Sequence, residues 1–232
     1  MKNNQTVLTN ILARGGIEFL AVLLGISTSL WIDNKNKETE LVQQRQEVYQ
    51  LLKNQTEELL NYTTDKIENY EIQVSRFGRL IDQWETIKFD TVQDQEDYFW
   101  DIWASIKNSF YPDFTTYETL MNSGQINLLD FQTISYYGRL YRLMDDINAV
   151  QIKERGWRDF LEDYFMTKYA NVFNQQVNII KGLFKLFKAS KNDPVVLAHL
   201  KSMSSIQNTR KVRVESFKQK LIQIKNHLKE FN

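Results

Sequence analysis

From Glu38 to Lys88 the chain runs without a proline and with one glycine, Gly78. Apolar residues recur there at Val48, Leu52, Leu59, Ile67, Tyr70, Val74, Phe77, Ile81 and Trp84. Most gaps are three, four or seven, the period of a helix with one buried seam. The spacing predicts a single helix of order 75 Å if unbroken. Such a seam cannot be buried alone, so other helices must lie along it. The whole chain of 232 residues holds only 8 Gly and 2 Pro. Sheets and long loops draw on those residues for turns, so the fold class is all-α, with few connections.

Just upstream lies GGIEFLAVLLGISTSLWIDN, residues 15–34. From Gly15 to Ile32 one ionisable group, Glu18, interrupts eighteen residues, near the shortest length that crosses a hydrocarbon core of roughly 30 Å. Trp31 stands where an interfacial aromatic belongs, and Asp33 and Asn34 close the segment. The expected organisation is a short tail over 1–14, a transmembrane helix over 15–33, and a helical-bundle domain over 34–232. A cleaved signal peptide and a buried helix of a soluble protein are the competing readings. On a helix, Glu18, Ala21, Gly25 and Ser29 share one face, opposite Phe19, Leu20, Leu23, Leu24 and Leu30. Small residues at that spacing let two backbones approach within lipid. The stripe therefore suits helix association and a homo-oligomer, an interfacial anchor without a partner, or a polar pore lined by Glu18 and Ser29, with Thr28 beside them.

The order Glu18, Gly25-Ile26, Leu30, Ile32, Asp33-Asn34 resembles the N-terminal anchor of a widespread group of uncharacterised bacterial single-span membrane proteins. Their hallmark runs Gly-Glu-Ile-x-Leu-Val-x-x-Gly-Ile-x-x-Ala-Leu-Gln-Ile-Asn-Asn-Trp. Here Ile17 stands for the first Gly, Ser29 for Ala, Trp31 for Gln and Lys35 for Trp. TTYETLMNSGQINLLD, residues 115–130, is similar to the group's Tyr-Glu-x-Leu-x-x-Ser-Gly-x-Leu-x-Leu-Ile segment. The resemblance implies a helical protein of the bacterial inner membrane, N-terminus cytoplasmic and body periplasmic. It implies no activity. The cations flanking the span, Lys2 and Arg14 before it, Lys35, Lys37 and Arg45 after it, leave orientation undecided by charge.

Downstream, residues 96–109 read as a short helix with dense aromatics. Thr115 and Glu118 are spaced as a capping box for a helix that stops at Gly124. Asp130 caps a long helix running to about Ala189, with bends at Gly156, Asn174 or Gly182. Asp193 and Pro194 open a last helix whose seam is Val214, Phe217, Leu221, Ile224, Leu228 and Phe231. The expected architecture is an antiparallel bundle in which residues 38–88 climb from the bilayer and the helix from 131 descends to it. At the end of that descent Phe184 and Phe187 oppose Lys181, Lys185 and Lys188, a pattern that serves core packing, a membrane surface or a protein partner. The cluster Tyr98, Phe99, Trp100, Trp103, Phe110 and Tyr111 reads as core, or as a pocket or partner patch at the bundle tip.

Candidate chemistry is thin. There is no cysteine, and His199 and His227 are too far apart for a metal motif. Both are expected on polar helix surfaces. Adjacent carboxylates such as Asp145-Asp146 and Glu162-Asp163 diverge on a helix and read as solvated. No catalytic residue, cofactor or metal ligand is expected. Residues 178–232 hold 12 Lys/Arg against 3 Asp/Glu, and the preceding residues 17 against 26. Either the basic helices pack beside acidic ones, or they offer a cationic face to lipid or another partner; nucleic acid is not expected. The sequence thus points to a non-enzymatic, membrane-anchored interaction, scaffolding or sensory module. The alternative is a small oligomeric channel or membrane-disrupting effector.

Overall fold

The structure is a computed structural model. It describes the backbone of residues 3–89, 92, 95–102, 109–173 and 179–231, and from residue 23 onward the side chains of these except 102, 173 and 179–181. Every regular element among the described residues is helical. The elements are α1 (Asn3–Asp82), α2 (Gln95–Ile102), α3 (Thr115–Asn122), a 3-10 turn (Gln125–Leu128), α4 (Phe131–Lys168), α5 (Ala170–Phe173), α6 (Ile179–Ala189) and α7 (Pro194–Leu228). Trp103 and Asn174 lie outside the described residues. The chain divides into two units, Met1–Gln50 and Leu51–Asn232.

In the larger unit four segments run side by side. The first, α1, presents Leu52, Leu59, Tyr70, Phe77 and Leu80, with Trp84 in the turn just past its end, all buried. The second is the return path formed by α2 and residues 109–122. Arg76 pairs with Asp97 and Asp101, Tyr62 holds the Tyr111 backbone, and Gln55 holds Asp113 and Tyr117. Rising numbers thus meet falling ones, and this path is antiparallel to α1. The third, α4, begins beside Leu52 and Thr56 through Tyr137 and ends with Leu161 and Phe165 in the cluster around Phe77 and Trp84. It therefore climbs parallel to α1. The fourth, α7, descends, with His227 beside Asp130 and Lys225 beside Glu57.

Two expectations change here. The descent is made by α2 and residues 109–122, not by the helix from 131. Residues 179–191 consequently sit at the end of the bundle remote from Leu51, packed with Trp84 and Phe89. The long helix also does not run unbroken to Ala189: α4 stops at Lys168, and Gly156 lies within it without a break.

Local caps explain the joints. Asp130 accepts from the backbone N–H of Gln132 and Thr133, and Asp193 from Val195 with Pro194 at the first turn, as the sequence predicts. Gly124 takes φ 77°, the left-handed conformation that ends α3. The capping box does not form. Thr115 is the first helical residue rather than the cap, and Asp113 Oδ1 accepts from its N–H (2.8 Å). Glu118 turns instead to the hydroxyl of Tyr141 at 3.0 Å.

Candidate functional site: an exposed apolar helix and a buried polar layer

In the smaller unit, residues 23–46 of α1 are all exposed. Leu24, Ile26, Leu30 and Trp31 are 57–64 % exposed, and Leu23 and Ile32 nearly half. These residues lie around most of the helix, not on one stripe. Gly25 and Ser29 fill the remaining arc, and so broad an apolar surface is what a helix surrounded by apolar material carries. It ends in charge: Asp33 pairs with Lys37 at 3.4 Å, and the Lys35 ammonium lies 5.1 Å from the Trp31 ring centre. Gly25 and Ser29 are exposed on this stretch, while the side chains of Glu18 and Ala21 fall outside the described residues. Among the described residues no helix is long and apolar enough to cross a membrane. The expected transmembrane helix over 15–33 is therefore not visible as such. Its described side chains, 23–32, rise only about 15 Å, half a hydrocarbon core. α1 is continuous through Asp33–Asn36.

A second feature is absent from the expectations above. Midway along the larger unit, α1, α2, α4 and α7 meet in polar side chains. Arg210, 1 % exposed, donates to Glu154 Oε2 at 2.5 Å and to Gln73 Oε1 at 2.7 Å. Its guanidinium stacks 4.3 Å from the centre of the Tyr70 ring. Gln73 and Gln207 both donate to the backbone carbonyl of Asp101, at 2.7 and 3.0 Å. That carbonyl belongs to the last described turn of α2. Arg76 binds the Asp101 and Asp97 carboxylates. Burial pushes the Glu154 carboxyl above its ordinary range, against the opposing pull of Arg210 and Gln207. The Asp101 carboxyl is also raised by burial, with Arg76 opposing.

The signal for this layer is present in the sequence. The α7 seam extends backward through Leu200, Met203, Gln207 and Arg210 at gaps of three and four. Two polar residues thus occupy core positions. In α4, Gln151 and Glu154 fall between Ile147 and Leu161 in the same way. Gln151 is a clamp: its Oε1 accepts from the Phe110 N–H at 2.6 Å and its Nε2 donates to the Phe110 carbonyl at 3.4 Å. With Gln55 and Tyr62 it supplies the backbone partners that residues 110–117 lack.

A carboxylate hub closes the remote end. Asp193 Oδ2 accepts from Tyr164 (2.9 Å), Lys168 (2.8 Å) and Tyr169 (2.8 Å), while Oδ1 caps α7. Burial alone would raise its carboxyl, but the donors from Lys168, Tyr169, Tyr164 and Val195 together outweigh it and hold it at about 2. The same contacts raise the Lys168 ammonium. A carboxyl held below its ordinary 3.8 stabilises the fold at every pH above that value. The contribution is lost as pH falls from about 4 through about 2. Wild type should lose about 1–2 kcal/mol more than Asp193→Asn over that interval, after discounting for partial solvent screening. Denaturant unfolding at neutral pH and at the two acid limits measures it; parallel acid slopes would refute the hub.

The other candidates named from the sequence scatter. His227 is 9 % exposed, within reach of Asp130 (3.3 Å) and Thr133 (3.2 Å), not on a polar surface. His199 lies between the rings of Trp157 (4.6 Å) and Phe160 (4.1 Å), and its burial lowers its basicity. The aromatic cluster divides. Phe99 and Phe110 are buried, Tyr98 packs at the remote end, and Trp100 and Tyr111 are exposed. Phe110 meets Tyr62 and Phe217 well below the tip. Phe184 and Phe187 are 3 % and 0 % exposed in the core, so the apolar half of a membrane-surface contact is spent there; Lys185 and Lys188 stay exposed. The side chain of Lys181 lies outside the described residues. Basic α7 does pack beside acidic α1, through Lys211–Glu71 at 3.3 Å and Lys225–Glu57 at 2.6 Å. Among the described residues no group of His, Asp or Glu could hold a metal ion. No family model, curated protein or solved structure matches the chain.

Proposed function

We propose that the chain is a membrane-anchored, non-enzymatic helical-bundle protein. It acts as an interaction, scaffolding or sensory module of the bacterial inner membrane, with a cytoplasmic N-terminus and a periplasmic body. The observation that carries this reading is the broad exposure of Leu23, Leu24, Ile26, Leu30, Trp31 and Ile32. An apolar patch of that size left in water is costly, and a bilayer covers it without a dedicated partner. The lower rim suits an interface, where Trp31 and Lys35 stack and Asp33 and Lys37 pair. The body supports the non-enzymatic part. Its buried ionisable groups Glu154, Arg210 and Asp101 are engaged in ion pairs, Glu154 with Arg210 and Asp101 with Arg76.

Self-association through Glu18, Ala21, Gly25 and Ser29 is part of the proposal. A Cβ at Gly25 would meet nothing within 4 Å in the chain. Gly25→Leu therefore leaves the helix itself unstrained and blocks only close approach by a second helix. The variant should shift the detergent-solubilised protein from oligomer to monomer by about tenfold in dissociation constant, for about 1–2 kcal/mol of lost helix packing. Sedimentation equilibrium reads it. Unchanged stoichiometry would remove this face from the proposal and leave the anchor standing.

A further inference from the structure

Among the described residues, two atoms of the polar layer are buried without a hydrogen-bond partner, Arg210 Nε and Gln207 Oε1. Both side chains are 1 % exposed. One atom is a donor and the other an acceptor. Their residues lie about one turn apart on the buried face of α7. Buried polar atoms are almost always paired, with protein or with ordered water. Turning the Gln207 amide over does not help. It would set Oε1 against the carbonyl oxygen of Asp101, to which Gln207 Nε2 now donates at 3.0 Å.

The surroundings fix where a partner must sit. The amides of Gln73 and Gln207 both donate to the Asp101 carbonyl, at 2.7 and 3.0 Å, and so lie side by side. A guanidinium presents its Nε–H and one terminal N–H in parallel along one edge. On Arg210 the terminal nitrogen of that edge, Nη2, donates to Gln73 Oε1 at 2.7 Å. The Nε–H beside it therefore points to a place next to Gln73 Oε1. The chemistry of that place is narrow. It takes an atom that accepts from the Nε–H and donates to Gln207 Oε1, with Gln73 Oε1 as a further acceptor. An anion fails on the amide oxygens and a cation on the N–H, whereas a neutral hydroxyl satisfies both. Gln73, Glu154, Gln207 and Arg210 are each 1 % exposed, so the group is small enough to be enclosed.

We propose that the layer holds one buried water, which accepts from Arg210 Nε and donates to Gln207 Oε1 and Gln73 Oε1. About three bonds is what an enclosed water makes. It joins α7 to α1 through the same glutamine that receives the guanidinium. The inference concerns the larger unit alone and does not rest on the membrane reading.

The test uses the full chain in mild detergent, with its arginine side chains isotopically labelled. The Arg210 Hε is identified by its contacts with the Tyr70 ring, whose centre lies 4.3 Å from the guanidinium. A rotating-frame Overhauser measurement at the water frequency separates dipolar transfer from proton exchange by sign. In wild type this proton should show the dipolar sign, as from a water held in place. Gln207→Met, close to it in volume, removes one of the three bonds and should weaken the cross-peak. Gln219→Met, at an exposed position of the same helix, should leave it unchanged. An exchange signal alone, or no cross-peak, overturns the proposal. So does a cross-peak undiminished in Gln207→Met. A crystal structure of the full chain with a protein atom in hydrogen-bond reach of Arg210 Nε would give the place to the protein and overturn it too. If Gln207→Met does not fold, the wild-type sign and the crystal structure decide.

Discussion

Arg210→Leu should cost about 3–5 kcal/mol of unfolding free energy, the usual result of removing one partner from a buried ion pair. The side chain is 1 % exposed and so is Glu154. Leucine leaves the Glu154 carboxylate without its guanidinium and orphans Gln73 Oε1, both far from water. The double variant Glu154→Leu, Arg210→Leu should be less damaged than the single one, because it leaves no charge behind. The sign of the pH dependence follows from burial. The Glu154 carboxyl already lies above its ordinary 4.5, and losing Arg210 drives it higher. A raised carboxyl gives stability that is whole below the unfolded value and lost as pH rises through the folded one. The deficit of Arg210→Leu should therefore be least near pH 4 and grow toward neutrality. Denaturant titrations in mild detergent measure both effects. A single variant within about 1 kcal/mol of wild type would mean that the layer is open to water, where pairs contribute that little.

That layer also shows where sequence reading stops. The long α1, the all-helical class and the caps at Asp130 and Asp193 are legible, because each follows from local pattern. The path of the chain is not. Residues 110–114 have no helix and no strand, and their backbone is held by Gln55, Tyr62 and Gln151. Glutamines on long helices look like surface residues, so nothing local announces that one of the four segments of the bundle is built on them. With that segment read as a tip, the helix from Phe131 is expected to descend, whereas it climbs. The end of α1 is a similar case. It stops at Asp82 with no glycine or proline in its last turn, and Trp84 instead donates to the carbonyl of Lys191, 107 residues on. His227 reads as solvated for the same reason: its partners, Asp130 and Thr133, are distant in sequence. The apolar segment is legible as a pattern, and half its stripe, Glu18 and Ala21, lies outside the described side chains.

Leu24→Arg with Ile26→Arg should move the protein from the membrane pellet to the alkaline supernatant. The two residues sit near the middle of 15–32 and are 64 % and 57 % exposed, so the body loses no packing. An arginine at the centre of a span costs roughly 2.5–3.5 kcal/mol on insertion scales. Two together cost about 5–7 kcal/mol, enough to reverse insertion of a short segment already carrying Glu18. The paired control is Leu41→Arg with Val42→Arg. These residues are also exposed, at 53 % and 58 %, but lie past Asp33 and Lys37. If apolar stickiness alone held the chain to membranes, both double variants would be released alike. If residues 15–32 are buried in the bilayer, only the first should be, because the cost of a charge depends on its depth. Wild type found in the supernatant, or the first variant retained with the pellet, would exclude insertion of this segment.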